Sequence, residues 1–129
     1  MKYLLDTHTI LWYLFGDARL SEKAKEIIES NICFYSYASF WEISIKQSLK
    51  KLEFTHTVYE IDEMCRKAGF RKLPITLDDF NKVRNLTFQK DVKHNDPFDR
   101  ILISQAIEND LTIITTDGNI PLYSVKTIW

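Results

Sequence analysis

Apolar positions recur along this chain in two periods, and the switches between them mark its elements. Tyr3-Leu4-Leu5 is a short continuous apolar run and reads as a buried strand over 2–5. Ile10 to Phe15 follows as a helix, with Asp6 or Thr9 as its cap and Gly16 as its stop. Ser21 opens a second helix, Glu22 to Ser30, with Ala24, Ile27 and Ile28 on one face. Ile32-Cys33-Phe34-Tyr35 is rich in strand formers, and Ser36 or Ser39 caps a helix to about Lys51 with Phe40, Trp41, Ile43, Ile45 and Leu49 mostly inward. Val58 to Ala68 repeats at helical spacing and closes on Gly69. Lys72 to Ile75 is a weak strand broken by Pro74; Thr76 with Asp79 three later opens a helix to Leu86. After a polar loop over 87–95, Pro97 to Asn109 reads as helix, Leu111 to Thr115 as a strongly apolar strand and Val125 to Ile128 as a last strand. Helix and strand alternate, so the expected class is α/β: a parallel sheet flanked by helices, an α/β/α sandwich.

Composition adds bounds. At 129 residues the chain has the length of one ordinary domain, large enough to bury a core without staples. Gly and Pro number three each, and no repeat, linker or low-complexity stretch interrupts the pattern. Cys33 and Cys65 lie in apolar contexts without CxxC spacing and read as free buried thiols of a reduced compartment. The segment before Asp6 is too short for a signal-peptide core, and no run approaches a membrane span, so no membrane and a cytoplasmic location are expected. A net charge of −1 argues against a nucleic-acid coat protein. It leaves room for a nuclease whose metal ions supply positive charge locally.

The acidic residues change the picture most. Asp6 ends the first apolar run, Asp117 follows the last strong one, Glu42 sits inside Phe40-Trp41-Glu42-Ile43, and Asp96 and Asp99 stand three apart. In an open α/β sheet ligands bind at the carboxyl ends of the strands. Carboxylates gathered there repel unless a cation holds them, and hard oxygen donors select magnesium or manganese. Each acid also has a plainer reading. Asp6 can cap the next helix, and Glu42 can pair with Lys46 four residues on. Asp96 before Pro97, with Asp99 at the third helical position, is a strong helix-start signal, and Arg100 can pair with Asp96. Asp117-Gly118-Asn119 can be an ordinary turn. Basic residues bunch near the acids: Lys46, Lys50 and Lys51 after Glu42, with Lys90, Lys93 and Arg100 around Asp96–Asp99. Lys46 and Arg100 can contact phosphates or neutralise Glu42 and Asp96. His8 and His94 are hydrogen-bonded structural residues on the plainer reading. Trp12, Tyr13 and Phe15 fit a core or an oligomer interface better than base stacking.

Leu4-Leu5-Asp6-Thr7-His8, Phe40-Trp41-Glu42-Ile43-Ser44-Ile45-Lys46, His94-Asn95-Asp96-Pro97-Phe98-Asp99-Arg100 and Thr115-Thr116-Asp117 resemble PIN-domain proteins across the whole chain. They are most similar to the VapC-type toxin ribonucleases of bacterial toxin–antitoxin pairs, in the subgroup with an HxDPFDR motif. The resemblance implies one PIN-like domain over 1–129 and a metal-dependent endoribonuclease. It implies Asp6, Glu42, Asp99 and Asp117 as a quartet binding magnesium or manganese, with Asp96 an accessory ligand or a cap. Thr7 and Thr116 would orient neighbouring carboxylates by hydrogen bonds. The implied partners are an RNA substrate, a cognate antitoxin and a second copy of the chain. Against this stand a PIN-like interaction module that has lost catalysis and, more remotely, an Asp-dependent phosphatase of the haloacid dehalogenase type. The phosphatase wants an acid two residues after Asp6, where the chain has His8. Phosphate-cradling glycine motifs are absent.

Overall fold

A computed structural model describes residues 1–87 and 94–129. Most of the loop expected over 87–95, with Lys90 and Lys93, lies outside the described residues. Five strands form one sheet: β1 (Lys2–Leu5), β2 (Ile32–Ser36), β3 (Arg71–Leu73), β4 (Thr112–Ile114) and β5 (Thr127–Ile128). Every pairing is parallel, and the order across the sheet is β3-β2-β1-β4-β5. Among the described residues the helices are α1 (Thr7–Leu14), α2 (Glu22–Ser30), α3 (Tyr37–Ser48), α4 (Val58–Lys67), α5 (Leu77–Arg84) and α6 (Pro97–Glu108). A 3-10 turn, Ile120–Leu122, which the turn signal of Gly118-Asn119 does not announce, precedes β5.

The central strands β1 and β4 are buried on both faces because their side chains alternate between two cores. In β1, Tyr3 and Leu5 join one cluster with Ile10, Ile28, Ile61 and Cys65, while Leu4 joins the other with Leu102, Ile103 and Ala106. The sheet therefore lies between a layer carried by α1, α2 and α4 and a layer carried by α6, the expected α/β/α arrangement. Helix starts are fixed by their caps. Ser21 accepts from Ala24 N, and Thr76 and Asp79 close a reciprocal capping box. Of the paired alternatives, Asp6 and Ser36 are the caps, and Thr9 instead donates its hydroxyl to Ile114 O at 2.7 Å, tying α1 to the end of β4.

α3 differs from expectation in two ways. It ends at Ser48 and not near Lys51, because Lys50 turns into the left-handed region at φ 55° without a glycine to signal it. Its buried residues are Ala38, Ser39, Glu42 and the expected Phe40 and Ile43; Trp41 is instead 59% exposed, and Leu49 is also exposed. Both cysteines are free and buried, and burial pushes the Cys33 thiol up to about 11. Among the described residues no helix is long and apolar enough to cross a membrane.

Candidate acidic site at the sheet edge

The chain leaves β1 for one side of the sheet and returns to place β4 on the other, so the order reverses between these two strands. At such a switch point the connections diverge and open a crevice beyond the strand ends. Asp6 stands at the end of β1, and its backbone N–H donates to Ile114 O of β4 at 3.3 Å. Its side chain is 6% exposed and caps α1: Oδ1 accepts from Thr7 N at 2.8 Å. Oδ2 accepts from the Thr115 hydroxyl at 2.7 Å. Thr115 also accepts from Asp117 N at 3.0 Å, so one hydroxyl joins the acids that follow β1 and β4. The family resemblance implies this task for Thr116. The structure gives it to Thr115, since Thr116 is exposed and lines the crevice mouth. Asp117 does make the expected turn, its Oδ1 accepting from Asn119 N at 2.8 Å.

Glu42 reaches the same edge from the inward stripe of α3. It is 6% exposed, accepts from the Thr7 hydroxyl at 2.7 Å through Oε1, and pairs with Lys46 Nζ at 2.7 Å through Oε2. Ser39 Oγ lies 2.9 Å from the Thr7 hydroxyl and extends the chain of contacts. Thr7 thus orients Glu42, while Lys46 neutralises it.

α6 brings in the remaining acids. Asp96 is the N-cap, Oδ1 accepting from Phe98 N at 2.9 Å and Asp99 N at 3.1 Å, with Pro97 in the first turn. Asp96→Ala should therefore cost about 1 kcal/mol, with Asp96→Asn close to neutral, read as thermal midpoints of the metal-free variants. Equal losses in both would mean that charge, and not capping, matters there. Asp99 is 7% exposed, and its Oδ2 lies 3.2 Å from His94 Nε2. No sequence pattern announces this histidine contact.

Arg100 departs most from expectation. Its guanidinium donates to Val83 O and to the Tyr123 hydroxyl, both at 3.1 Å, and sits over the Tyr123 ring. These donors clamp the end of α5 to α6. Tyr123, fully buried, was not singled out because its partners lie 23 and 29 residues away.

The electrostatics join the acids into one site. Burial raises the Asp99 carboxyl to about 8, reinforced by the negative charges of Asp6, Asp96, Asp117 and Glu42. Asp6 is also raised, by burial first; its Thr115 and Thr7 bonds oppose this, while Glu42 and Asp117 add to it. The five carboxylates thus share one field at the switch point. A crevice of about 310 Å3 opens there, lined by Asp6, Asp117, Thr116, His8, Trp12 and Arg19. Among the described residues no three acidic, histidine or cysteine side chains already stand close enough to enclose a metal ion. The chemistry of the set nevertheless fits a hard divalent cation: all its donors are oxygens, and their mutual repulsion is relieved by positive charge. Asp6, Glu42, Asp99 and Asp117 are the side chains that would hold it.

A family model for the PIN domain matches residues 3–126. The chain belongs to the PIN-domain family. Its fold is similar to that of a chain in the crystal structure of VapBC2 from Rickettsia felis bound to a DNA fragment from their promoter, with a TM-score of 0.67 at 12% identity over 99% of this chain and 98% of that one. It is also similar to a chain in the crystal structure of FitAcB from Neisseria gonorrhoeae, with a TM-score of 0.62 at 18% identity over 100% and 97%. At such identities the likeness is one of fold. No curated protein sequence matches the chain significantly.

Proposed function

We propose that this PIN domain is a divalent-metal-dependent endoribonuclease, the toxin of a type II toxin–antitoxin pair of the HxDPFDR subgroup. The observation that carries the reading is that Asp6 and Asp99 are both raised at the sheet's switch point, with the negative charges of Glu42 and Asp117 among the causes for each. A fold has no reason to gather repelling carboxylates at one end of its sheet for stability alone. Magnesium or manganese, held by these side chains, would supply the Lewis acidity that activates water and relieves charge on a phosphodiester.

The chain's own residues prepare that site. Thr115 and the Thr7 N–H each hold one oxygen of Asp6, so its carboxylate is fixed before any ligand arrives. Thr7 does the same for one oxygen of Glu42. Lys46, partly exposed beside Glu42, is the cation placed to exchange that partner for an RNA phosphate. Buried walls lower the local dielectric, which strengthens the hold of the acids on a cation.

Partners are part of the same proposal. The neighbours in fold were crystallised as VapBC2 and FitAcB, which supports a cognate antitoxin for this chain. Ile10, Leu11 and Phe40 are core. The apolar surface left for an antitoxin or a second copy lies around Trp41 and Phe80, 59% and 55% exposed beside a groove of about 410 Å3. A phosphatase reading has no support at Asp6, whose two oxygens are both bound and whose second neighbour is the exposed His8.

The test is cleavage of total bacterial RNA by the purified protein. Discrete fragments are expected with manganese, none in excess EDTA, and their return when manganese or magnesium is restored. Undiminished cutting in EDTA would refute the metal mechanism, and no cutting in any condition would favour an interaction module.

A further inference from the structure

We propose that Tyr123 is a positioning residue of the acidic site, acting on Asp99 through His94; its consequence for activity rests on the metal-nuclease reading above. Tyr123 follows the 3-10 turn between β4 and β5, and its side chain is fully buried. A buried phenol keeps its place by satisfying its hydroxyl. Here the hydroxyl donates to the His94 carbonyl at 2.8 Å and lies 3.0 Å from Nδ1 of the same residue. The two rings meet edge to face at 5.7 Å and 75°. One oxygen therefore holds His94 at both its backbone and its ring.

A ring gripped in this way has one orientation. A half-turn about the bond joining the imidazole to its Cβ would replace Nδ1 by a carbon and forfeit the contact with Tyr123. The observed orientation aims Nε2 at Asp99 Oδ2, 3.2 Å away. Asp99's backbone is set by the first turn of α6, where its N–H donates to Asp96. Its carboxylate is set by the ring it meets. Arg100 completes the support, donating to the Tyr123 hydroxyl from the next position of α6 at 3.1 Å. The segment joining β4 to β5 thereby braces an acid on α6, although Tyr123 itself stays in the core. Partners of this kind, which orient a ligand without touching the metal, typically change affinity or activity by ~10–100-fold.

The decisive readout is the state of the His94 ring in the metal-free protein. The chain has three histidines, so long-range proton–nitrogen spectra of labelled protein are simple, and His94→Gln identifies the relevant signals by their loss. In the wild type the two His94 nitrogens should have widely separated shifts, the mark of one fixed proton arrangement. In Tyr123→Phe they should move toward each other as the ring averages. Manganese alone, titrated by calorimetry, should bind the same variant roughly 10–100-fold more weakly, with the circular dichroism spectrum unchanged. Unaltered His94 shifts or unaltered manganese affinity in a folded Tyr123→Phe would overturn the proposal. Should Tyr123→Phe not fold, His94→Gln and His94→Leu carry the test. Gln keeps a polar amide, both donor and acceptor, on the side facing Asp99 and should bind manganese within a few-fold of wild type, whereas Leu should lose ~10–100-fold. Equal affinities in the two would overturn the role. Wild type that neither binds manganese nor cuts RNA would instead refute the nuclease reading, and the ring shifts would still report whether Tyr123 fixes His94.

Discussion

Asp99→Asn is expected to end RNA cleavage and, at the same time, to raise the thermal midpoint of the metal-free protein at pH 8. The two effects have one cause. Burial and four neighbouring negative charges lift the Asp99 carboxyl from 3.8 to about 8 in the fold. Below about pH 4 the group is protonated whether the chain is folded or not, and it costs nothing. Between about 4 and 8 the unfolded chain releases the proton while the fold retains it. Stability therefore falls as pH rises through that window and levels off above it. Asparagine has the same shape and no charge, so it removes the slope. The variant's advantage over wild type in EDTA should be near zero below about pH 4, grow steadily through the window and exceed several degrees by pH 8, at roughly 3–5 °C for each kcal/mol in a domain of this size. A small opposing loss, ~0.5 kcal/mol, comes from removing an acid in the first turn of α6. A variant less stable than wild type at pH 8 would mean that the carboxylate serves the helix start more than it suffers the shared field. Retained cleavage would mean that the metal is misplaced.

Arg100→Met should destabilise the fold by about 2–4 kcal/mol, because it strips the charged donor from Val83 O and from the Tyr123 hydroxyl and leaves both without it in a partly buried place. Arg100→Lys should recover little. Val83 O and the Tyr123 hydroxyl are served by different nitrogens of one planar fork, a geometry that a single ammonium does not reproduce. Chemical denaturation of the three proteins without RNA or metal measures this directly. A loss below about 0.5 kcal/mol in both variants would return Arg100 to a role on RNA.

How much of this the sequence made visible depended on the range of the interaction. Helix starts are local, and Ser21, Thr76 with Asp79, and Asp96 with Pro97 announced themselves by spacing within one turn. Strands buried on both faces were legible as continuous apolar runs, and their alternation with helices made the parallel sheet legible. The placement of Asp6, Asp99 and Asp117 at one edge followed from the ends of those elements, whereas Glu42 reaches it from the middle of α3. What stayed hidden needed facing side chains or distant partners. Thr115 and Thr116 look alike in sequence, and only the pleat of β4 decides which turns toward Asp6. Trp41 reads as core beside Ile43, yet a shift of one position on a helix rotates a side chain about 100° away. The Tyr123–His94–Asp99 contacts span loops that no periodicity connects.

The claim beneath all of this is that the carboxylates at the switch point hold a divalent cation. Calorimetric titration of the purified protein with manganese, beside Asp6→Asn, tests it most directly. Saturable binding in the wild type that Asp6→Asn abolishes, with both proteins equally folded, is the predicted result. No saturable heat in the wild type, or the same heat in both, would contradict it.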